Sequence, residues 1–248
     1  MIISNISHFL KKTLRRCIRV PDRFLWWLNL RYKLKKYVVS KKYENQIWEN
    51  DYVKSFLHHS HQNKLITLSF LRAIKKRNIF LDKLIKSNRV IELGCGTGEF
   101  SHFINKKFKN KKILGVEISK NAVNLANYLY SNENVRFALI SQNENLQKFE
   151  EFDIAICSQV LEHFSKPNVI IDKMLEISPI VIALVPYKQL IMDPYKEEGG
   201  GGHVFRFSEE SFSPYNVLDS FIFRTLGWDY SSSGETPRQL AVILTKTV

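Results

Sequence analysis

Cysteine is scarce in this 248-residue chain. Cys17, Cys95 and Cys157 are odd in number and far apart, which excludes a disulfide framework and a cysteine-built zinc site and predicts a reducing, cytoplasmic setting. Long apolar runs are missing too: none reaches the roughly 18 residues needed to span a bilayer, and the first residues carry cations where a secretion signal needs its apolar stretch. Acidic residues are few, 24 against 37 lysines and arginines, for a formal charge of +13. That imbalance is local. Residues 1–42 hold twelve lysines and arginines against the single Asp22, so +11 of the charge lies there and the rest of the chain is close to neutral. A nearly neutral body weighs against nucleic acid as the principal partner.

What is present has the size of one α/β catalytic unit with an appendage. The chain divides into a basic amphipathic helical extension over 1–42, a helical connector or lid over 43–84, and a catalytic domain over 85–248. Within the extension, Ile3, Ile6, Leu10, Leu14, Cys17 and Ile18 recur at helical spacing between cations, and Pro21 ends the run. Trp26 and Trp27 then precede Arg31, Lys33, Lys35 and Lys36, a pairing found on segments that lie on anionic membrane surfaces. Packing or lidding of the body, peripheral contact with the inner membrane surface, and a grip on phosphates all stay open for residues 1–42. His58, His59 and His61 lack cysteines or carboxylates at ligand spacing and predict no metal site. Apolar residues from Leu65 to Ile85 predict one or two helices beneath a sheet.

The most informative stretch is 90–100, V-I-E-L-G-C-G-T-G-E-F. An apolar run of strand length breaks into Gly94, Gly96 and Gly98, and Phe100, Phe103 and Ile104 follow at helical spacing. A strand, a glycine turn and a helix N-terminus let backbone approach a ligand closely, because glycine accepts positive φ and has no Cβ. A phosphate loop would end in Gly-Lys-Ser/Thr, whereas Gly98 precedes Glu99; the dinucleotide fingerprint has wider glycine spacing. Glu92, two residues before the first glycine, suits a cationic ligand. A second apolar run, 112–117, ends in Glu117, nineteen residues beyond Gly98 and near the offset at which an acid meets ribose hydroxyls.

Glu92-Leu93-Gly94-Cys95-Gly96-Thr97-Gly98 resembles the E/D-x-G-x-G-x-G motif of class I S-adenosylmethionine-dependent methyltransferases, and the likeness extends over residues 85–246. It implies a Rossmann-like seven-stranded mixed sheet with helices on both faces and a terminal antiparallel hairpin around the turn-rich 231–237, behind the N-terminal helical extension. The implied cofactor is S-adenosyl-L-methionine, held by Glu92, Gly94, Cys95, Gly96, Gly98, Glu117, Ile118, Ser141, Gln142 and Ser158. Ser141 stands where the family usually has an aspartate for the adenine amino group, which leaves that contact to Ser141, Gln142 or backbone, with Leu146 as an apolar wall.

Val160-Leu161-Glu162-His163 resembles the V-L-E-H segment of small-molecule and quinone-type members, and His203-Val204-Phe205-Arg206-Phe207-Ser208 their later histidine segment. By that resemblance His163 and His203 face the acceptor and are the catalytic candidates. Some members, among them small-RNA 2′-O-methyltransferases, hold a divalent metal with E-x-x-E-H and a later His. Here the first Glu is Gln159, so no metal is expected, Glu162, His163 and His203 being the remaining candidates. The reading is therefore a methyltransferase acting on oxygen of a small, lipid-linked or glycan acceptor. An RNA methyltransferase, or a silent membrane-associated S-adenosylmethionine-binding protein, are the alternatives.

Overall fold

The centre of the sheet is built from strands with near-continuous apolar sequence, as buried parallel strands require. A computed structural model describes residues 48–141, 145–149, 151–188, 203–225 and 238–247, with the side chains of 48–59 left aside. The expectations for 1–47, for the side chains of His58 and His59, for Gln142 and for the glycine run 199–202 lie outside these residues. In chain order the elements are α1 (Trp48–Ala73), α2 (Asn78–Lys86), β1 (Arg89–Leu93), α3 (Glu99–Lys107), β2 (Lys112–Glu117), α4 (Lys120–Tyr130), β3 (Val135–Leu139), β4 (Ile154–Ser158), α5 (Pro167–Ile177), β5 (Val181–Pro186), β6 (Asn216–Arg224) and β7 (Arg238–Thr245).

The seven strands lie in the order β3-β2-β1-β4-β5-β7-β6. The first five are parallel, and β7 runs antiparallel to both β5 and β6. This is the expected mixed sheet with its terminal hairpin. Every residue of β5 is buried, whereas the edge strand β6 alternates exposed and buried positions along its second half and carries an irregularity between Val217 and Asp219. That irregularity breaks the period-two pattern at the start of β6.

One face of the sheet carries α1 to α4 and the other carries α5 with the segment 203–212. Aromatic rings fix the first layer. Phe70 of α1 lies 6.0 Å from Phe80 of α2 and 6.3 Å from Phe221 of β6, and the Phe80–Phe221 centroids are 4.9 Å apart at 82°. Each fully buried ring contributes about 1.5–3 kcal/mol, while the exposed Lys86–Asp82 pair on α2 is in the class worth ~0–1 kcal/mol. Apolar packing therefore holds α1 and α2 to the sheet. None of the described helices is long and apolar enough to cross a membrane.

Two polar residues near strand starts are structural. Asp153 accepts from the backbone N–H groups of Asn88 and Arg89, at 2.5 and 2.9 Å, and β4 begins directly after it at Ile154. Lys111, 2% exposed, donates through Nζ to the backbone oxygens of Ser87 and Ile85 and closes the end of α2.

Candidate functional site

All three glycines of the turn adopt positive φ: +68° at Gly94, +51° at Gly96 and +87° at Gly98. Their surroundings differ. A Cβ on Gly94 would stand 2.4 Å from Cγ2 of Val160, and one on Gly98 would stand 2.6 Å from the Phe137 ring and 3.1 Å from Ala126. On Gly96 a Cβ would meet only the Nδ2 of Asn63, at 3.8 Å. The turn is thus packed into the fold at its ends and open at its middle glycine, which leaves a cradle for a ligand.

Three acids surround this turn and are placed differently. Glu92, 3% exposed, accepts from the backbone N–H of Ser101 at 3.0 Å and from the Ser101 hydroxyl, which anchors the start of α3. Burial first, then the nearby Glu99 and Glu117, pushes its carboxyl up to about 8. Glu99 is fully buried, and burial raises it as well; Ser60 donates to it at 2.5 Å and Thr97 at 2.7 Å. Glu117 accepts from Gly96 N–H at 3.0 Å through one oxygen and from Ile118 and Ser119 N–H at 2.9 and 3.0 Å through the other. It is held against the glycine turn at the C-terminal end of β2, with Ser119 capping α4.

Glu92 carries a pH signature. An unfolded chain loses this proton near 4.5 and the folded chain near 8, so between these values the folded state binds the extra proton and stability falls as pH rises. Glu92→Gln keeps an acceptor for Ser101 and removes the titration. The midpoint of thermal unfolding of the variant, followed from pH 5 to 8.5, should decline less than that of the unsubstituted chain, the difference at pH 8.5 amounting to a few kcal/mol. Equal pH slopes for the two proteins would refute the assignment.

Other expected cofactor residues occupy distinct places. The Cys95 side chain is 3% exposed and packs against Gly115, where a Cβ would meet it at 2.9 Å, so only its backbone faces the turn. Burial raises its thiol. Ile118 stands 58% exposed beside Glu117, an apolar surface next to the cradle. Ser141 is exposed just after Ile140, whose N–H bonds to the Glu117 carbonyl at 3.0 Å. Ser158 ends β4 and is half-buried, while Leu146 is buried in the core cluster that includes residues of α5.

The loop after β4 joins the cradle to the histidines. Gln159 adopts φ +59°, a strained value for a non-glycine residue. Its N–H bonds to the Leu184 carbonyl at 2.9 Å, and its carboxamide donates to that carbonyl at 3.3 Å and to Gln239 at 2.8 Å. Val160 then packs on Gly94, and residues 161–163 form a short 3-10 helix. The Glu162 carbonyl accepts from Val204 and Phe205 N–H at 2.8 and 3.2 Å, which seats His203 beside His163, ring centroids 5.1 Å apart.

Behind the rings lies Glu162, 1% exposed, with neither carboxylate oxygen hydrogen-bonded among the described residues. Burial pushes its carboxyl up to about 8, and burial with the neighbouring His163 pushes His203 down to about 4. The 3.9 Å approach of Glu162 Oε1 to His203 Nε2 is therefore, at neutral pH, between a protonated acid and a neutral imidazole, too long for a hydrogen bond and without ion-pair character.

The expectation of no metal rests on Gln159, whose side chain is committed to β5 and β7. Glu162, His163 and His203 nevertheless present ligand atoms all within 4.8 Å of one another. One carboxylate and two imidazoles fit a first-row divalent cation with open positions, and a cation would satisfy the orphaned carboxylate.

A parallel sheet with a glycine turn after β1, an acid at the end of β2 and polar residues beyond β4 defines a Rossmann-like fold of the nucleotide-binding class. A family model described as a methyltransferase domain matches residues 61–213. The chain belongs to the class I S-adenosylmethionine-dependent methyltransferases, and S-adenosylmethionine is its cofactor. It is 30% identical over 90 residues to a ubiquinone biosynthesis O-methyltransferase of Hydrogenovibrio crunogenus, covering 35% of this chain and 36% of that one. It is 27% identical over 100 residues to a malonyl-[acyl-carrier protein] O-methyltransferase of Ilyobacter polytropus, covering 40% and 38%. The chain thus spans less than two fifths of the length of these curated relatives. The fold is similar to that of a SAM-dependent methyltransferase from Anabaena variabilis, with TM-score 0.56, 13% identity, and coverage of 84% of this chain and 98% of that one.

Proposed function

We propose that the protein methylates an oxygen atom of a small, lipid-linked or glycan acceptor, with His163 and His203 handling the acceptor's proton. The observation that carries this reading is the pairing of the two imidazoles 5.1 Å apart, one short turn from the Val160 that packs on the glycine cradle. Two of the similar curated proteins are named as O-methyltransferases, which supports the same atom type.

When bound, S-adenosylmethionine supplies a methyl group already activated by a sulfonium. The chain's residues then have to align the acceptor, exclude water and receive a proton. His203, kept neutral through physiological pH by burial and by His163, accepts a hydrogen bond from an acceptor hydroxyl. The proton that His203 receives makes an imidazolium 3.9 Å from Glu162 and leaves the half-buried ring for solvent once the product departs.

The orphaned Glu162 carboxylate favours a second reading, in which a divalent cation held by Glu162, His163 and His203 polarises the acceptor oxygen. One assay covers both. Methyl-labelled cofactor is incubated with pools of phenols, carboxylic acids, lipid-linked sugars and RNA, with and without chelator and added manganese. Label on an oxygen of a small, lipid-linked or glycan acceptor is expected, falling 10²- to 10⁴-fold in His163→Ala or His203→Ala with cofactor affinity kept. Chelator-sensitive transfer restored by manganese would select the cation. Label confined to RNA, or to nitrogen or carbon, would overturn the proposal.

A further inference from the structure

The helix that precedes the sheet reaches the glycine turn. Ser60 of α1 is fully buried, and its hydroxyl donates to Glu99 Oε1 at 2.5 Å; Thr97 donates to the other oxygen at 2.7 Å and Tyr130 to the first at 3.4 Å. Glu99 is the first residue of α3, directly after Gly98, so this buried knot fixes the register of α1 against the turn. Asn63 follows Ser60 by three residues and lies on the same face of α1. Its carboxamide is half-buried, makes no hydrogen bond among the described residues, and is the one group near the open side of Gly96.

The polar groups of the motif itself are otherwise engaged. Glu92 is bound to Ser101, Glu99 to Ser60 and Thr97, and Glu117 to the N–H groups of Gly96, Ile118 and Ser119. A cofactor lying along this turn brings an α-carboxylate and an ammonium that need partners, and an unpaired carboxamide offers both a donor and an acceptor.

We propose that Asn63 is a cofactor-binding residue, its Nδ2 donating to the α-carboxylate of the methyl donor, with the Ser60–Glu99 hydrogen bond as the device that positions it. The proposal rests on the turn being the methyl-donor cradle. It gives α1 a part in recognition that no motif in the sequence marks.

Calorimetry of the full chain with S-adenosylmethionine and with its decarboxylated analogue, which lacks only the carboxylate, tests it. The unsubstituted protein should prefer the intact cofactor by about tenfold or more, as a hydrogen bond to a charged group implies. In Asn63→Ala that preference should vanish through loss of affinity for the intact cofactor alone. Asn63→Asp should reverse it, because two carboxylates then face each other, and this variant decides the matter if the alanine one folds poorly. A preference that survives in Asn63→Ala, equal losses for both ligands, or no preference in the unsubstituted chain would overturn the assignment. Failure of the unsubstituted chain to bind either ligand would instead sink the cradle itself.

Discussion

Replacing Gly98 by alanine is expected to lower the unfolding midpoint by about 5–20 °C and to remove any stabilisation by S-adenosylhomocysteine. Two penalties coincide. A non-glycine residue at φ +87° costs about 1–2 kcal/mol, and a Cβ 2.6 Å from the Phe137 ring and 3.1 Å from Ala126 forces β3 or α4 to shift, at about 1–3 kcal/mol. Against a total stability of about 5–15 kcal/mol the sum is large. Gly96→Ala separates fold from site, because its φ of +51° is strained but its Cβ meets only Asn63 at 3.8 Å. That variant should lose about 2–4 °C and still fail to bind cofactor. Thermal scans of both, with and without S-adenosylhomocysteine, read out the contrast. Ordinary ligand stabilisation of Gly96→Ala would show that the open side of the turn is not where the ligand lies.

Glu117→Ala should weaken S-adenosylhomocysteine binding by about 10²- to 10³-fold. The carboxylate, presented at the end of β2 by three backbone N–H groups, is placed to accept from two ribose hydroxyls, and two hydrogen bonds to a charged group are together worth about 3–4 kcal/mol. Glu117→Gln keeps an acceptor for Gly96 and loses the charge, so an intermediate loss is expected. Calorimetry on both variants checks the order, and unchanged affinity in Glu117→Ala would remove this residue from the site.

The turn was legible in the sequence because its geometry demands missing side chains: glycines at 94, 96 and 98 are the residues that accept those φ values at those close approaches. The place of Glu117 at the end of β2 was legible from the apolar run 112–117 that it closes, and the parallel core from the apolar runs at 90–93 and 112–116. What escaped reading depends on pairs brought together by topology. The resemblance put His163 and His203 at one site, but not the means by which they meet: the Glu162 carbonyl captures the backbone at Val204 and Phe205. Nothing in one-dimensional spacing encodes that capture, nor the isolation of the Glu162 carboxylate. Asn63 escaped for the same reason, since its place on the open side of Gly96 is set by a helix registered through a buried serine. The role of Asp153 as a cap for Asn88 and Arg89, across more than 60 residues, is set by the same topology.

The position of β7 between β5 and β6 has a consequence for how the chain is made. As the polypeptide leaves the ribosome, β6 emerges before the strand that connects it to the sheet, and until β7 arrives the edge of β5 is bare and the aromatic side of β6 has no fixed seat. Phe221 and Phe223, against which α1 and α2 pack, are held only once that last strand slots in. The helix that carries Asn63 is thus tied to the glycine turn through Ser60 and Glu99 by elements made early, while its aromatic seat on β6 is completed only when residues 238–245 arrive.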